Sequence, residues 1–304
     1  MFGPLRGFVF WFLFGCGIFA WHATQEGLHY IIVPFMGWLT AMFLVYKYIM
    51  HKETRSTSNE NELRVMTWNV AASNTPMPWE ERVTFIERQI ESKNPDIVLL
   101  QDTRLDDTDW ASFMYWRGYD GIEQQDHTCR LCGLATYWKR DRLDAMGLPV
   151  HTGYSLECAL RLSNRKRPSA EPLDFDVINV HLKAPGNDRD ERIERIKKCL
   201  SRADQPNRLI GGDFSHQVLG GTPICVFMEE EGFAGRGNEH ASYFNGTDYV
   251  QHDHVMLSSR GELMVSASDV TRSGYMVLQG PIPDAYNPSN HLAIAVTMTL
   301  DRIH

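Results

Sequence analysis

The chain has 304 residues, enough for one large domain or two small ones, and its 43% hydrophobic and 22% charged residues are ordinary for a globular protein. The formal net charge is −8, and because four basic and four acidic residues cancel in the first 62 positions, all of it belongs to the rest of the chain. This balance argues against a strongly basic, non-specific nucleic-acid binder. It does not exclude a nuclease, since a bound divalent cation can supply local positive charge.

The first 50 residues are mostly apolar and aromatic. Two hydrophobic segments, at about residues 7–23 and 30–50, approach the roughly 17–25 residues that a helix needs to cross a bilayer. Arg6 precedes the first segment, and Lys47 and Lys52 flank the end of the second. The positive-inside rule therefore predicts a transmembrane hairpin with both ends in the cytoplasm. The alternatives are a cleaved signal peptide, or a helical pair that is buried or lies in one leaflet.

A polar stretch separates these segments from the rest of the chain. Residues 51–62 contain no apolar residue and predict a flexible linker. The folded domain is expected at residues 63–304. The sequence thus predicts a two-segment membrane protein that contacts the membrane through residues 1–50 and carries its catalytic domain on the cytoplasmic side.

Hydrophobic periodicity indicates the elements of this domain in chain order. Strands are predicted at residues 63–69, 96–100, 134–138, 175–180, 255–258 and 292–300, and helices at residues 80–93 and 189–202. Strands and helices alternate early, and strands dominate late. This order is typical of a layered α/β or α+β domain.

Residues 208–215 read Arg-Leu-Ile-Gly-Gly-Asp-Phe-Ser. Leu209 and Ile210 can end a buried strand, and the two glycines that follow allow a turn without a Cβ clash. Asp213 then comes at the carboxyl end of the strand, where open α/β sheets bind their ligands. The stretch predicts a carboxylate that faces a cleft.

Similar polar side chains occur at the ends of other predicted strands. The set comprises Asn69, Asp102, His181, Asp213, Asp253 and His291. Hard divalent cations such as Mg²⁺ or Mn²⁺ prefer oxygen ligands, and a histidine that titrates near neutrality can activate water. These are the groups required to hydrolyse a phosphate ester.

The motifs around these residues resemble those of the endonuclease/exonuclease/phosphatase (DNase I-like) superfamily. The resemblance runs from about residue 63 to residue 300 and lies in Thr67-Trp68-Asn69, Leu100-Gln101-Asp102-Thr103-Arg104, Val180-His181-Leu182, Gly212-Asp213-Phe214-Ser215, Asp253-His254-Val255 and Ser289-Asn290-His291-Leu292. Each motif is weak alone, but six in the family's order are specific. The resemblance implies a two-sheet β-sandwich flanked by helices, with the site at one edge.

The resemblance also implies a role for each matching residue. Asn69 and Asp102 match metal-site positions, and Mg²⁺ or Mn²⁺ is the expected cofactor. Asp102 replaces the family's usual Glu, so its carboxylate arm is one methylene shorter. His181 matches the histidine that contacts the scissile phosphate, and Asp213 matches the carboxylate that orients or deprotonates the attacking water.

The remaining matches include two departures from the family pattern. Asp253 matches a position near phosphate and metal, and His291 matches the catalytic histidine of the closing motif. Ser215 replaces an Asn, and Asn290 replaces the Asp beside the catalytic histidine, which is expected to leave that imidazole with an uncharged partner. We expect Ser215, Asn290 and Lys183 to contact substrate.

The sequence therefore predicts a membrane-anchored, divalent-metal-dependent phosphoesterase that cleaves a phosphodiester, most simply as a nuclease acting on nucleic acid or nucleotide. One alternative is a phospholipid phosphodiesterase of the sphingomyelinase type. The other is a catalytically impaired, membrane-tethered binding module, which the replacements at Ser215 and Asn290 would favour.

Overall fold

The computed structural model describes residues 38–41, 62–70, 77–105, 108–125, 133–163, 171–183, 188–218, 220–234, 241–259, 263–272, 282–283 and 287–302. The chain divides into two compact units, Met1–Arg55 and Ser56–His304. Except for residues 38–41 and Glu62, the predicted hydrophobic segments and linker lie outside the described residues. Within the described part of the chain, no helix is both long and apolar enough to cross a membrane.

The second unit contains four helices and fourteen strands among its described residues. The helices are α1 (Trp79–Lys93), α2 (Trp110–Trp116), α3 (Arg189–Leu200) and α4 (Pro223–Glu230). The strands are β1 (Glu62–Asn69), β2 (Ile97–Gln101), β3 (Tyr119–Gln125), β4 (Gly133–Lys139), β5 (Leu143–His151), β6 (Ser155–Leu162), β7 (Leu173–His181), β8 (Asn207–Asp213), β9 (Phe233–Ala234), β10 (Tyr243–Phe244), β11 (Tyr249–Val250), β12 (Asp253–Ser259), β13 (Leu263–Arg272) and β14 (Ile294–Arg302).

Most strands belong to two six-stranded sheets. The first sheet has the order β13-β14-β1-β2-β4-β3, and the second has the order β5-β6-β7-β8-β12-β9. Strands β1 and β2 are parallel, as are β7 and β8, and the other neighbouring pairs are antiparallel. Each sheet thus has one parallel pair near its middle, and in each parallel pair both strands end at the same edge. A separate two-stranded ribbon pairs β10 with β11.

Three apolar clusters hold the layers together. One lies between the two sheets and includes Leu63, Leu99 and Phe175. A second packs α1 and α2 on the outer face of the first sheet, and a third packs α3 and α4 on the outer face of the second. The result is the helix–sheet–sheet–helix sandwich that the family resemblance implied.

The inward face of β1 changes character along the strand. Alternate residues of a strand share a face, so Leu63, Val65, Thr67 and Asn69 all point between the sheets. The first two belong to the apolar inter-sheet cluster, the third is a buried hydroxyl, and the fourth lies at the strand's end. The inward face of β7 changes in the same way: Phe175 and Val177 belong to the inter-sheet cluster, and His181 ends the strand. The site therefore lies at one edge of the inter-sheet layer.

The structure corrects the prediction for the stretch around Asp213. Strand β8 does not turn at its glycines but runs through both of them, and Asp213 is its last residue. Gly212 has φ +146°, and an added Cβ would lie 2.0 Å from the carbonyl oxygen of Val180. Glycine is required here because β7 and β8 approach too closely for a side chain.

The other predicted elements exist, with bounds that differ by at most two residues, but several elements were not predicted. Strand β5 shows why. It exposes most of its side chains at the edge of the second sheet, and its residues include Gly147 and Pro149. An edge strand of this kind lacks the apolar alternation that marks a half-buried strand.

Candidate active site

The ends of four central strands bring the predicted residues together. Asn69 ends β1 and Asp102 directly follows β2, the parallel partner of β1. His181 ends β7 and is paired in register with Asp213, the last residue of β8. Asp253 begins β12 and is paired with Asp213 from the other side. Because β1, β2, β7 and β8 end and β12 begins at the same edge, five residues distant in sequence lie together.

Asp213 is the centre of the cluster. One of its oxygens accepts a hydrogen bond from the Asn69 side-chain amide at 3.0 Å and lies 3.6 Å from His181 Nε2 and 3.8 Å from His291 Nε2. The other oxygen accepts from the Ser215 backbone N–H at 2.6 Å and from its hydroxyl at 3.2 Å. Burial raises the pKa of Asp213, but the neighbouring histidines outweigh burial and hold the pKa at about 2. Asp213 is therefore an anion throughout the physiological pH range.

His291 lies between two carboxylates. Its Nδ1 is 2.9 Å from Asp253 Oδ2, and both side chains are buried. Burial by itself lowers the pKa of His291, but the charges of Asp253 and, to a smaller extent, Asp213 outweigh burial and raise the pKa to about 9. The imidazole is thus protonated at neutral pH. Its charged partner is Asp253, so the expectation that Asn290 is the partner of this histidine is wrong.

Asn290 instead lies in the loop that carries His291. Its backbone carbonyl accepts a hydrogen bond from the Phe244 N–H at 2.9 Å, and its side-chain Oδ1 is buried without a hydrogen-bond partner. The replacement of Asp by Asn at this position therefore removes no charge from the His291–Asp253 pair. A role for Asn290 in contacting substrate stays a prediction.

The loop that carries His291 is attached to the end of β1. The Trp68 indole N–H donates to the His291 carbonyl at 3.0 Å, and the Ser289 hydroxyl donates to the Asn69 carbonyl at 2.7 Å while accepting from the His291 N–H at 3.0 Å. These bonds fix His291 relative to the amide at the end of β1. The Ser289-Asn290-His291 motif thus supplies both the histidine and the hydroxyl that positions it.

His181 lies between Asp213 and Asp102. Its Nε2 faces Asp213, and its Nδ1 lies 3.9 Å from Asp102 Oδ1. The His181 side chain is 18% exposed, compared with 6% for His291, so His181 is the more accessible to a substrate in the cleft. Lys183 is exposed two residues further on, and its carbonyl accepts a hydrogen bond from Arg195 at 2.9 Å.

Two groups of side chains could hold a cation. Asp102 is a partly exposed carboxylate, and with the Asn69 amide oxygen from the neighbouring strand it offers the hard oxygen donors that Mg²⁺ and Mn²⁺ prefer. Ligand atoms of Asp213, Asp253 and His291 also lie within 4.8 Å of one another. In that second group, however, Nδ1 of His291 is bonded to Asp253 and the ring is protonated. The residues therefore fit a divalent cation better on the Asp102 side.

Sequence reasoning missed an aromatic pair beside the site. Tyr243 stacks on His252, with ring centroids 4.5 Å apart, and lies 4.5 Å from the His291 ring. Burial lowers the pKa of His252 to about 4, so its imidazole is neutral. The only signal in the sequence was the unusual His252-Asp253-His254 run, whose flanking histidines had no predicted role.

A buried arginine beneath the site was also missed. The Arg82 side chain, on α1, donates from Nε to the Pro288 carbonyl at 2.7 Å and from Nη2 to the Val70 carbonyl. Burial and the nearby Arg104 lower its pKa to about 10. Because an arginine on a helix usually faces solvent, nothing in the residue pattern indicated that this one joins the end of β1 to the His291 loop.

Two packed sheets, a helical layer on each outer face and a histidine–carboxylate site at one edge define the DNase I-like class of proteins. A sequence model of the Endonuclease/Exonuclease/phosphatase family matches residues 66–259, more than half of the chain, and the chain belongs to this family. Members of this family are metal-dependent hydrolases of phosphate esters, and the chain is an enzyme of that kind.

Solved structures agree with the fold. The human Nocturnin catalytic domain is 19% identical, with a TM-score of 0.53, over 79% of this chain and 95% of that one. Truncated Caenorhabditis elegans TDP2 is 18% identical, with a TM-score of 0.54, over 78% and 98%. ANGEL2, described as a 2′,3′-cyclic phosphatase, is 14% identical, with a TM-score of 0.56, over 78% and 95%. At these identities the likeness establishes the fold alone. No curated protein sequence matches the chain.

Proposed function

We propose that the chain hydrolyses a phosphodiester of a nucleic acid or nucleotide, using Mg²⁺ or Mn²⁺. The observation that carries the proposal is the arrangement around Asp213, which is ionised and lies beside an amide and two histidines at the open edge of the sandwich. Zebrafish TDP2 with a single-strand DNA product and ANGEL2 with adenosine-2′,3′-vanadate are similar structures, and both support this substrate class.

The protonation states suggest a role for each residue. Asp213 is ionised, so it orients the attacking water by accepting one of its hydrogen bonds. His291 is an imidazolium backed by Asp253, so it stabilises negative charge on the phosphoryl oxygens rather than acting as a base. The more exposed His181 donates to the phosphate. As the P–O bond to water forms, the proton that the water loses passes to Asp213. As the P–O bond to the leaving group breaks, the leaving oxygen departs as an anion, and His181 and His291 offset the negative charge that develops.

The metal is proposed to bind Asp102 and Asn69. A divalent cation bound there would polarise the phosphoryl oxygens and add local positive charge in a chain whose net charge is −8. Asp102 directly follows a strand of the rigid sheet, which suits a ligand that must be held in place.

The chain is also proposed to be anchored in a membrane through residues 1–50, with its catalytic domain in the cytoplasm. The support is the two hydrophobic segments and the basic residues that flank them. This proposal concerns where the enzyme acts and is independent of the proposed chemistry.

A substrate panel tests the proposed reaction. The purified full chain in detergent is incubated with Mg²⁺ or Mn²⁺ and single-stranded RNA, single-stranded DNA, duplex DNA, nucleotide cofactors, sphingomyelin or inositol phosphates. We expect cleavage of a nucleic acid or nucleotide, loss of activity with a chelator, and recovery on adding metal. Asp213→Asn should lower the rate at least 100-fold, the order seen when one transition-state contact is removed.

The other outcomes identify the alternatives. Cleavage of sphingomyelin alone would replace the nuclease proposal with a phospholipid phosphodiesterase. Binding without hydrolysis of any substrate, by folded and metal-loaded protein, would indicate the binding module. Full activity of Asp213→Asn would remove Asp213 from the mechanism.

A further inference from the structure

A layer of polar side chains crosses the otherwise apolar space between the two sheets. Thr67, Gln101, Thr136 and Asn179 are all fully buried, and they come from β1, β2, β4 and β7 respectively. We call these four residues the polar layer. It lies between the apolar inter-sheet cluster and the active-site edge.

Gln101 joins the first sheet to the second. Its side-chain amide nitrogen donates to Asn179 Oδ1 at 2.8 Å, and it also lies 3.1 Å from both the Thr67 hydroxyl and the Leu99 carbonyl. One side chain thus contacts β1, its own strand and β7. The shortest of these bonds is the one that crosses between the sheets.

Asn179 makes the return connection. Its side-chain nitrogen donates to the Ala135 carbonyl at 2.9 Å and to the Leu100 carbonyl at 3.1 Å, and it lies 3.3 Å from the Thr136 hydroxyl. The acceptors lie on β2 and β4 of the first sheet, whereas Asn179 lies on β7 of the second. The two amides therefore connect the sheets by hydrogen bonds that run in both directions.

Burying two amides between sheets is an unusual way to stabilise a sandwich. Removing an amide from water is costly unless its hydrogen bonds are replaced, and a fully paired polar pair is often no more stable than apolar residues of the same volume. What a paired network does provide is a single geometry, since hydrogen bonds are directional and apolar contacts are not. The polar layer is thus better suited to fixing the distance between the sheets than to stabilising the fold.

The position of the polar layer shows what that distance controls. Gln101 directly precedes Asp102, and Asn179 lies two residues before His181 on the same face of β7. Asp102 directly follows a strand of the first sheet and His181 ends a strand of the second, and their side chains approach each other to 3.9 Å across the edge of the sandwich. A small shift of one sheet against the other would change this approach before it changed any contact within a sheet.

We propose that Gln101 and Asn179 are positioning residues that hold Asp102 and His181 in register across the two sheets. This inference rests on the proposed function of the same site, because its main readout is the rate of phosphate-ester hydrolysis. Neither side chain reaches the cleft, so both act through the residues that follow them. The polar layer sets the geometry in which metal and phosphate are held together.

The test replaces both amides by apolar side chains of similar size in the full chain. In Gln101→Met/Asn179→Leu, both partners of the inter-sheet bond are removed together, so neither amide is left unpaired. We expect a folded protein with a kcat 10- to 100-fold lower and a KM changed less than threefold. Mn²⁺ affinity, measured by electron paramagnetic resonance without substrate, should fall about tenfold, the range found when residues behind metal ligands are changed.

Asn207→Leu is the matched control. Asn207 is also a buried amide, and it begins β8 at the end of the strand opposite to Asp213, where its side-chain nitrogen donates to the Asp174 carbonyl at 2.9 Å. The Asn207→Leu substitution removes a buried amide from the same sandwich and leaves the polar layer unchanged. We expect kcat and Mn²⁺ affinity to stay within twofold of the unchanged protein, whatever happens to its thermal midpoint.

The outcomes separate a positioning role from a structural one. A folded double variant with unchanged kcat and unchanged Mn²⁺ affinity overturns the inference, as does an equal loss in Asn207→Leu. If the double variant does not fold, kcat and Mn²⁺ affinity are measured for Gln101→Met alone, and unchanged values of both overturn the inference. If the unchanged protein hydrolyses nothing on the panel, the proposed function fails, and the Mn²⁺ affinities alone then decide the inference.

Discussion

At the residue scale, the charge of His291 is set by its two carboxylate neighbours. Burial alone would make this imidazole neutral, but Asp253 at 2.9 Å and Asp213 at 3.8 Å favour the protonated form. The cluster thus resembles a buried ion triad, in which removal of any one charge leaves the others unbalanced. This makes its protonation state measurable as a dependence of stability on pH.

The first prediction concerns alkaline pH. Because the folded-state pKa of His291 is raised to about 9, its contribution to stability is complete below pH 6.5 and is lost as the pH rises to about 9. A shift of this size corresponds to roughly 3 kcal/mol. Denaturant unfolding of the metal-free protein at pH 6 and pH 9.5 should show a loss of this order. His291→Gln should lack this dependence, and an identical pH profile in both proteins would contradict the prediction.

Asp102 adds a backbone constraint at the same scale. Its φ is +54°, in the left-handed region that Asp and Asn adopt more readily than most other residues. A Glu would bring a longer arm but would not share this local preference. The shorter acid is therefore compatible with the backbone that places it at the end of β2.

The second prediction separates the backbone role of Asp102 from its charge. Asp102→Asn keeps a side chain that tolerates a positive φ, so we expect folding stability to change by less than about 0.5 kcal/mol. It removes the proposed carboxylate ligand, so Mn²⁺ affinity should fall at least tenfold. Asp102→Ala should lose metal binding and also about 1–2 kcal/mol of stability. Unchanged Mn²⁺ binding by Asp102→Asn would show that Asp102 is not a metal ligand. The group formed by Asp213, Asp253 and His291 would then be the next candidate for the metal site.

At the element scale, the site depends on how closely β7 and β8 approach each other. The parallel pairing of these strands puts His181 opposite Asp213, and it requires that residue 212 have no side chain. Gly212 thus serves the packing of β7 against β8 rather than a turn. Asp213 and His181 are held opposite each other because β8 and β7 are hydrogen-bonded neighbours.

The third prediction tests this close approach. In Gly212→Ala the new Cβ would meet the Val180 backbone at 2.0 Å, so the strands must separate. We expect a loss of at least about 3 kcal/mol in stability, as for severe overpacking combined with an unfavourable φ, and a corresponding fall in activity. Gly220→Ala is the control, since nothing lies within 4 Å of its added Cβ. Similar stabilities for the two variants, measured by thermal unfolding, would show that β7 and β8 are not so constrained.

At the scale of the whole molecule, the arrangement of the catalytic unit relative to a membrane remains a proposal. One surface feature reports on it. Asn245 begins an Asn-Gly-Thr sequence, is exposed, and accepts hydrogen bonds from Thr247 and Asp248 in a turn. Such a sequence receives N-linked glycan only when it enters the secretory lumen.

The fourth prediction follows from the proposed cytoplasmic location. When the full chain is expressed in a eukaryotic cell, Asn245 should carry no glycan. In the matched control a cleaved secretory signal replaces residues 1–50, and the same exposed Asn245 should then be glycosylated. Mass spectrometry of the two proteins decides: glycan on the full chain would place the catalytic domain on the opposite side of the membrane.

The sequence by itself determined which polar residues lie together at one edge of the sandwich. Asn69, Asp102, His181 and Asp213 each end or directly follow an apolar run, and such runs become buried strands whose ends meet at one edge. The pattern also determined that two sheets and outer helices would form the domain, because the motif order matches that of a family with this fold. Local order along the chain was enough for these conclusions.

Only the tertiary structure decided how those residues act. The partner of His291 is Asp253, which lies 38 residues away in sequence and comes from another strand, and not its neighbour Asn290. The charges of His291 and Asp213 depend on burial and on distances of a few ångströms, and neither quantity can be read from residue order. The polar layer could not be predicted from the sequence, because its hydrogen bonds join side chains of two different sheets. The role of a buried amide on a strand depends on the partner with which it forms a hydrogen bond.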